Sequence, residues 1–339
     1  MIDTQLMHRP LRWGLIGLGG FVRTQIAPAI AHSERATIAA CATRRPADAL
    51  AFARDFDVPH PCSTVEELVN DPNVDAVFIA TPNDQHYDAV IAAARAGKHV
   101  LCEKPLALSM AEAEHMVREC RNAGVVLRIG LQFRLEAIIA HVRQIVLAGA
   151  IGTPLQFDIE RTSALDQPGA WRRDRSKGGS ILYDTGVHLL DLTQWILGDS
   201  FCTLFATGGS SLAGSRTEDS LTLAGRTRRG CQTVIRISRE APFGNDGLTI
   251  LGTAGMLRTG PLRLVSEHTL TVRTAAGVSE QRFDQTDLYA SEVEAFAADV
   301  FDRMARLPNE IDALQSVAVT LAAVRSLDTG QAVRIESNP

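Results

Sequence analysis

The alternation of short apolar runs with helical patterns over the first 130 residues constrains this chain more than any other feature. Trp13-Gly-Leu-Ile-Gly17 reads as a buried strand, and a glycine turn then leads into a helix near Val22 to Ala31. Thr37 to Cys41 reads as a second strand, Ala47 to Asp55 as a helix and Asp75 to Ala80 as a further strand. His86 to Ala96 is the next helix, stopped by Gly97, since glycine accepts the left-handed conformation of a helix end. His99 to Cys102 and Val125 to Ile129 read as the remaining strands. Between them Ser109-Met-Ala-Glu112 is a capping box, in which the Ser109 hydroxyl accepts from the Glu112 amide while Glu112 reaches back. The helix it opens carries Met110, Ala113, Met116 and Cys120 on one face and stops at Gly124. Strands alternating with helices in this way mean a parallel sheet covered on both faces. Residues 10–130 are thus predicted to form a doubly wound α/β domain.

Beyond Gly130 the rhythm changes. Leu155 to Ile159, Cys202 to Ala206, Thr233 to Ile237 and Leu248 to Leu251 alternate with period two, as half-buried strands do. Leu262 to Val265 and Thr269 to Val272 suggest a hairpin. Helices are expected around Gly186 to Leu197, Leu288 to Met304 and Ala313 to Leu327. Clustered strands with helices to one side predict an α+β second domain, residues 131–339, on a largely antiparallel sheet. A length of 339 residues suits two such domains, and no internal repeat or low-complexity tract interrupts them.

Composition removes several function classes. With 45% apolar and 22% charged residues, the chain is neither disordered, nor collagen-like, nor a small disulfide scaffold. A net charge of −5 gives no overall basic field for nucleic acid or anionic lipid. Its six cysteines (Cys41, Cys62, Cys102, Cys120, Cys202 and Cys231) form no C-x-x-C pair. Such scattered thiols read as reduced core residues, with no metal site expected. No apolar stretch approaches the roughly 18 residues of a membrane span, and Met1 to Pro10 is too polar for a secretory signal. A cytoplasmic protein without nucleic-acid or membrane partners is expected.

The turn Gly17-Leu-Gly19-Gly20-Phe21-Val22 carries the first chemistry. Glycines between a strand and a helix let the backbone approach a pyrophosphate, which the free N–H groups and dipole of the helix attract. The match to G-x-G-x-x-G is imperfect, because Val22 stands where a small residue would let helix and strand pack closely. At the end of the second strand an acidic residue would bind the ribose hydroxyls of NAD. Here Thr43-Arg44-Arg45 stands instead, and no carboxylate occurs before Asp48. A hydroxyl and two guanidinium groups suit a 2′-phosphate, so NADP(H) is favoured, with NAD(H) as the alternative. Ala80-Thr81-Pro82-Asn83-Asp-Gln-His86 lies at the carboxyl end of a central strand, where ligands of open α/β sheets collect. Cys102-Glu103-Lys104-Pro105 ends the next strand and places a lysine beside a carboxylate, just past the strand tip.

Taken together these residues resemble the Gfo/Idh/MocA family of NAD(P)-dependent oxidoreductases. The likeness rests on Val74 to Met110, with Thr81-Pro-Asn83, Gly97-Lys-His-Val and Glu103-Lys-Pro105. It rests equally on Gly178-Gly-Ser-Ile-Leu-Tyr-Asp184-Thr-Gly-Val-His188-Leu-Leu-Asp191, which has that family's Asp-x-x-x-His spacing. It runs from about Leu11 to Ile335. The resemblance implies an N-terminal Rossmann domain and a C-terminal domain whose large open sheet shapes the substrate pocket and often an oligomer interface, so a homo-oligomer, dimer or tetramer, is compatible with it. It also implies Lys104, Asp184 and His188 as the catalytic group, and a proline matching Pro105 that is often cis. Gly130-Leu-Gln132-Phe-Arg134 resembles the segment in which an Asn and an Arg follow the last Rossmann strand, with Gln132 replacing the Asn. Trp171-Arg172 resembles a position beside cofactor and substrate. The likeness leans toward the NADPH-dependent reductase branch that handles 1,5-anhydrofructose and related keto sugars, on Arg12-Trp-Gly-Leu-Ile-Gly17, the missing acidic residue and Gly252-Thr-Ala-Gly-Met256.

The chemistry of the residues agrees with that implication. Asp184 and His188 are four apart, so on a helical turn they share one face. Oxidising a secondary alcohol sends hydride to the nicotinamide while the hydroxyl proton goes to a base, and reduction reverses both steps. Lys104 is expected to hydrogen-bond the substrate oxygen, His188 to exchange the proton and Asp184 to orient the substrate, with Lys104 as the alternative proton carrier. The basic loop Arg172-Arg173-Asp-Arg175-Ser-Lys177 reads as solvated charge, although an anionic substrate such as a sugar acid would also suit it. A sugar or polyol substrate is therefore expected. Two other classes stand beside this one: a non-enzymatic dinucleotide-sensing regulator, which loss of the lysine would favour, and a glycoside hydrolase that uses bound NAD for a transient oxidation.

Overall fold

The computed structural model describes residues 9–163, 170–211, 217–263 and 265–336. The first eight residues, and Leu264 of the expected hairpin, lie outside them. By contacts the chain divides into two units, Met1–Gln132 with Asp287–Val317, and Phe133–Thr286 with Ala318–Pro339.

The first unit holds strands β1 (Leu11–Ile16), β2 (Ala36–Ala42), β3 (His60–Cys62), β4 (Ala76–Ile79), β5 (His99–Glu103) and β6 (Leu127–Gly130). Helices α1 (Ala27–His32), α2 (Pro46–Asp55), α3 (Val65–Val69), α4 (His86–Arg95) and α5 (Met110–Ala123) connect them. All pairings are parallel, in the order β3-β2-β1-β4-β5-β6. The strand order reverses at β1, which opens a crevice between the carboxyl ends of β1 and β4. The strands read as uninterrupted apolar runs because both faces are covered. Ala76 to Ile79 are all buried, and Trp13 is fully so.

Local signals behave as their chemistry requires. Ser109 Oγ accepts from the Glu112 amide at 3.2 Å, the Glu112 carboxylate accepts back from the hydroxyl at 2.9 Å, and Gly124 closes α5 at φ 68°. At the base of the sheet, burial works against the charge of Asp75. Arg12 and Arg9 nonetheless hold its carboxyl well below the ordinary range, with Arg12 Nη2 at 2.8 Å. Five of the six cysteines are buried, and burial pushes the Cys41 and Cys120 thiols up to about 12.

Two features of this unit differ from expectation. The helix near Val22 to Ala31 begins as a π turn, Val22–Ile26, in which the Ala27 N–H reaches back five residues to Val22 O. Residues 287–317, expected in the second domain, make their contacts here. Helix α8 (Leu288–Phe301) buries Phe296 on Trp13, ring centroids 4.9 Å apart, and pairs Asp299 with Arg128 of β6 at 2.7 Å. The apolar face of α8 thus completes the cover of the parallel sheet.

The second unit holds α6 (Ala137–Leu147), β7 (Pro154–Thr162), α7 (Val187–Leu197), β8 (Phe201–Gly209), β9 (Ser220–Thr227) and β10 (Gln232–Ser238). It continues with β11 (Asp246–Gly252), β12 (Gly255–Thr259), β13 (Glu267–Thr274) and β14 (Gly277–Asp284). Helix α9 (Glu310–Thr329) is shared by the two units, and β15 (Val333–Arg334) closes the sheet edge. The nine strands run β14-β13-β12-β11-β7-β10-β9-β8-β15, antiparallel except for β7 with β10. Phe157, Ile235, Ile250 and Leu270 on its inner face pack with Ile139 and Val142 of α6 and Leu190 of α7 in one core. The expected hairpin is displaced: β13 turns at Gly277, φ 129°, into β14, and Leu262, Arg263 and Val265 belong to no strand. Most of β14 faces outward, so it shows no period-two pattern.

Candidate active site

In the first unit the glycine turn follows β1. Gly17 sits at φ 90°, and a Cβ there would lie 2.6 Å from the carbonyl oxygen of Ala80, so this position admits glycine alone. Gly19 and Gly20 are different, because a Cβ on either would meet nothing within 4 Å. Val22 is buried at the head of the π turn, so it could serve a ligand through its backbone alone. Phe21 packs on Tyr289 of α8, ring centroids 5.2 Å apart.

At the end of β2, Arg44 and Arg45 are exposed, Thr43 is half-buried and Arg45 Nε pairs with Asp48 at 2.6 Å. An exposed pair of this kind is weak and easily exchanged for a stronger anion. After β4, Asn83 is buried and Thr81 and Pro82 are half-buried. His86 is fully buried, its Nδ1 facing Pro105 O at 2.8 Å and its Nε2 facing Thr81 O at 3.2 Å. Burial pushes its pKa down against the pull of those carbonyls. The histidine expected to face a ligand is instead buried with both ring nitrogens turned to carbonyls of the loops that follow β4 and β5, and when neutral it donates to one of them. Past β5 the Lys104–Pro105 bond is cis, and the Lys104 amide donates to Glu103 Oε2 at 3.3 Å. A Cβ on Gly130 would come within 3.1 Å of the Glu103 carboxylate, so glycine there gives Glu103 its room.

These residues fit a dinucleotide. The turn is open where a pyrophosphate would approach. Thr81 Oγ1 and Gln132 Oε1 are buried polar atoms that find no hydrogen-bond partner among the described residues, as atoms reserved for a ligand would.

In the second unit the signature glycines build a tight loop. Gly178 lies at φ 72°, and a Cβ on Gly179 would lie 2.6 Å from Trp171 O. That close approach fixes Trp171-Arg172 beside the following turn, with the Arg172 guanidinium 4.6 Å over the Trp171 ring. Leu182–Gly186 is a second π turn, in which the Val187 N–H reaches Leu182 O. The expected plain helical turn from Asp184 to His188 is therefore widened at its start. Such insertions are frequent at functional sites because they re-aim side chains.

Asp184 lies between two guanidinium groups, Arg172 Nε at 3.8 Å and Arg239 Nη2 at 3.7 Å, and Arg239 Nε is 3.3 Å from Asp219. His188, one turn on, stacks on Phe133 with ring centroids 4.2 Å apart. Arg134 grips Asp191 with two bonds, Nε to Oδ2 at 2.8 Å and Nη2 to Oδ1 at 2.5 Å. The basic loop is paired within its own unit. Arg175 meets Glu218 and Asp328 at 2.8 Å each, and Lys177 lies 3.7 Å from Asp174. Arg175 and Lys177 of the loop thus have acidic partners within their own unit. Phe133 and Arg239 were not singled out by the sequence; Phe133 lies inside a quoted segment, whereas Arg239 follows β10 with no motif around it.

No helix among the described residues is long and apolar enough to cross a membrane. A family model described as an oxidoreductase family with an NAD-binding Rossmann fold (GFO/IDH/MocA) matches residues 11–131, and the GFO/IDH/MocA C-terminal domain matches residues 139–258. The chain is 32% identical to 1,5-anhydro-D-fructose reductase of Ensifer adhaerens, over 96% of this chain and 99% of the relative. It is 30% identical to D-xylose 1-dehydrogenase (NADP(+)) 2 of Haloferax volcanii, over 96% of this chain and all of that one. Among solved structures it is similar to an oxidoreductase from Agrobacterium radiobacter in complex with NAD+, L-tartaric acid and magnesium. That match has a TM-score of 0.85 at 25% identity and covers 96% of this chain and 98% of that one. The two matched models and a relative that spans nearly the whole chain make this protein a member of the Gfo/Idh/MocA family of oxidoreductases.

Proposed function

We propose that the protein transfers a hydride between NADP(H) and a secondary alcohol or ketone of a sugar, polyol or related small molecule. The observation that carries this reading is Asp184 held between two guanidinium groups with His188 one turn on. Such a carboxylate can accept a hydrogen bond from a substrate hydroxyl without having to move.

In this reading the bound nicotinamide supplies the hydride acceptor or donor. Asp184 and Arg172 orient the substrate hydroxyls as acceptor and donor. Lys104 hydrogen-bonds the reacting oxygen, and His188 takes the hydroxyl proton in oxidation or returns it in reduction. The dinucleotide would lie along Gly17, Gly19, Gly20 and the backbone at Phe21 and Val22, with Thr81, Pro82, Asn83, Glu103, Gln132 and Trp171 toward its nicotinamide end. Thr43, Arg44 and Arg45 would receive the 2′-phosphate, Arg45 by exchanging Asp48 for it. The sugar substrates named for the two relatives support the substrate class.

The test has two arms. NADPH should bind at least tenfold more tightly than NADH, about 1.4 kcal/mol, in a fluorescence titration. Equal or tighter NADH binding would sink the reading of Arg44 and Arg45. With saturating cofactor and a panel of keto sugars and polyols, Lys104→Ala and His188→Ala should each lower turnover about a hundredfold or more. If neither does, the catalytic assignment is wrong.

A further inference from the structure

The segment that begins the second unit grips helix α7 at two points. Arg134 holds Asp191, and Phe133, the residue before it, lies against His188, three residues before Asp191 on the same face of the helix. The Phe133 ring is itself clamped. The Arg161 guanidinium also lies over this ring, with Cζ 4.4 Å from its centroid. Arg161 stands opposite Asp246 in the β7–β11 ladder and pairs with it at 3.3 Å. The stack therefore runs from a cross-strand ion pair through an aromatic ring to the imidazole. The rings of Phe133 and His188 are inclined by 31°.

We propose that Phe133 is a positioning residue for the reaction, its face setting the plane in which His188 meets the substrate oxygen. The proposal rests on His188 as the proton carrier. A proton transfer depends on the direction of one N–H or lone pair, and the imidazole can turn about two side-chain bonds. A flat aromatic face limits that rotation. The cation over the ring keeps Phe133 from rocking, because the negative face of the ring is drawn to Arg161. Simple core filling would ask less of this position, since Phe133 is only partly buried and a leucine would cover the same apolar surface.

The comparison is between Phe133→Leu and Phe133→Tyr, with His188→Ala beside them. In Phe133→Leu, kcat should fall about tenfold while KM for both substrates stays within about twofold, because binding is intact and the proton is misdirected. The solvent deuterium isotope effect on kcat should rise above that of the wild type as the proton step becomes slower. Phe133→Tyr, which keeps the ring face, should hold kcat within about threefold of wild type. If Phe133→Leu does not fold, Phe133→Met carries the same comparison. Wild-type kcat in the aliphatic variant would overturn the inference, as would an equal loss in the tyrosine variant or a loss without a larger isotope effect. If His188→Ala itself keeps turnover within tenfold of wild type, the reading of His188 falls and takes this inference with it. Loss in His188→Ala with Phe133→Leu unaffected overturns the inference alone.

Discussion

Two glycine pairs of this chain, Gly19-Gly20 and Gly178-Gly179, each precede a helix that opens with a π turn, and they are used in opposite ways. At Gly19 and Gly20 the space a Cβ would fill is open. At Gly179 it is taken by the carbonyls of Trp171 and Arg172. One pair keeps room for something outside the chain, and the other lets the chain fold back on itself. Glycine content alone therefore does not mark a ligand site; what occupies the missing Cβ does.

Breaking the second pair should have the largest effect. Gly179→Ala sets a methyl 2.6 Å from backbone atoms of Trp171 and Arg172, which cannot swing aside as a side chain would. It should cost about 3 kcal/mol or more in urea unfolding and loosen Arg172 from Asp184. A loss below about 1 kcal/mol would mean that the loop 170–173 does not depend on this approach.

Gly20→Ala should separate the two roles most sharply. The added methyl meets no protein atom, and alanine is the better residue at a helix start, so stability should hold or rise by up to about 1 kcal/mol. NADPH affinity should nonetheless fall about tenfold or more, because the backbone can no longer approach the pyrophosphate as closely. Stability and affinity that both stay at wild-type levels would place the dinucleotide elsewhere.

The same contrast explains what was legible in the sequence. The parallel strands declare themselves because two-sided burial makes them continuous apolar runs, and β4 is readable from Ala76 to Ile79 alone. Asp184, His188 and Lys104 could be named because each sits in a local motif. The two π turns could not. Leu182 to Gly186 has no composition that distinguishes it from an α-helix, and the wider turn answers to how its neighbours must be aimed. Arg239 reaches Asp184 from the end of β10, a contact made by sheet topology rather than by spacing along the chain. Helix α8 was visible as a helix, but not as cover for the first sheet, because its partners Trp13 and Arg128 lie more than 150 residues earlier. Strand β14, exposed along most of its length, lacks the alternation that strand reading depends on.

Charge completes the comparison. In the second unit Asp184, Asp191 and Asp219 each face a guanidinium group. In the first unit Glu292 of α8 is fully buried, neither carboxylate oxygen finds a hydrogen-bond donor among the described residues, and the charge that reaches it is that of Glu103. Burial first, and then Glu103, push its carboxyl well above the ordinary range. A carboxyl whose pKa is higher in the folded than in the unfolded chain costs nothing below the unfolded value, about 4.3. Above that value the unfolded chain gives up the proton while the folded chain keeps it, so stability falls as the pH rises toward the folded pKa. Glu292→Gln removes that titration and keeps the shape of the side chain. At pH 4 the variant should lie within about 1 kcal/mol of wild type, and its relative stability should improve as the pH is raised above the unfolded value in parallel urea melts. A variant that instead loses ground as the pH rises would mean that Glu292 is ionised in the folded protein and has a cationic partner. Glu292 would then be paired as its neighbour on α8, Asp299, is with Arg128.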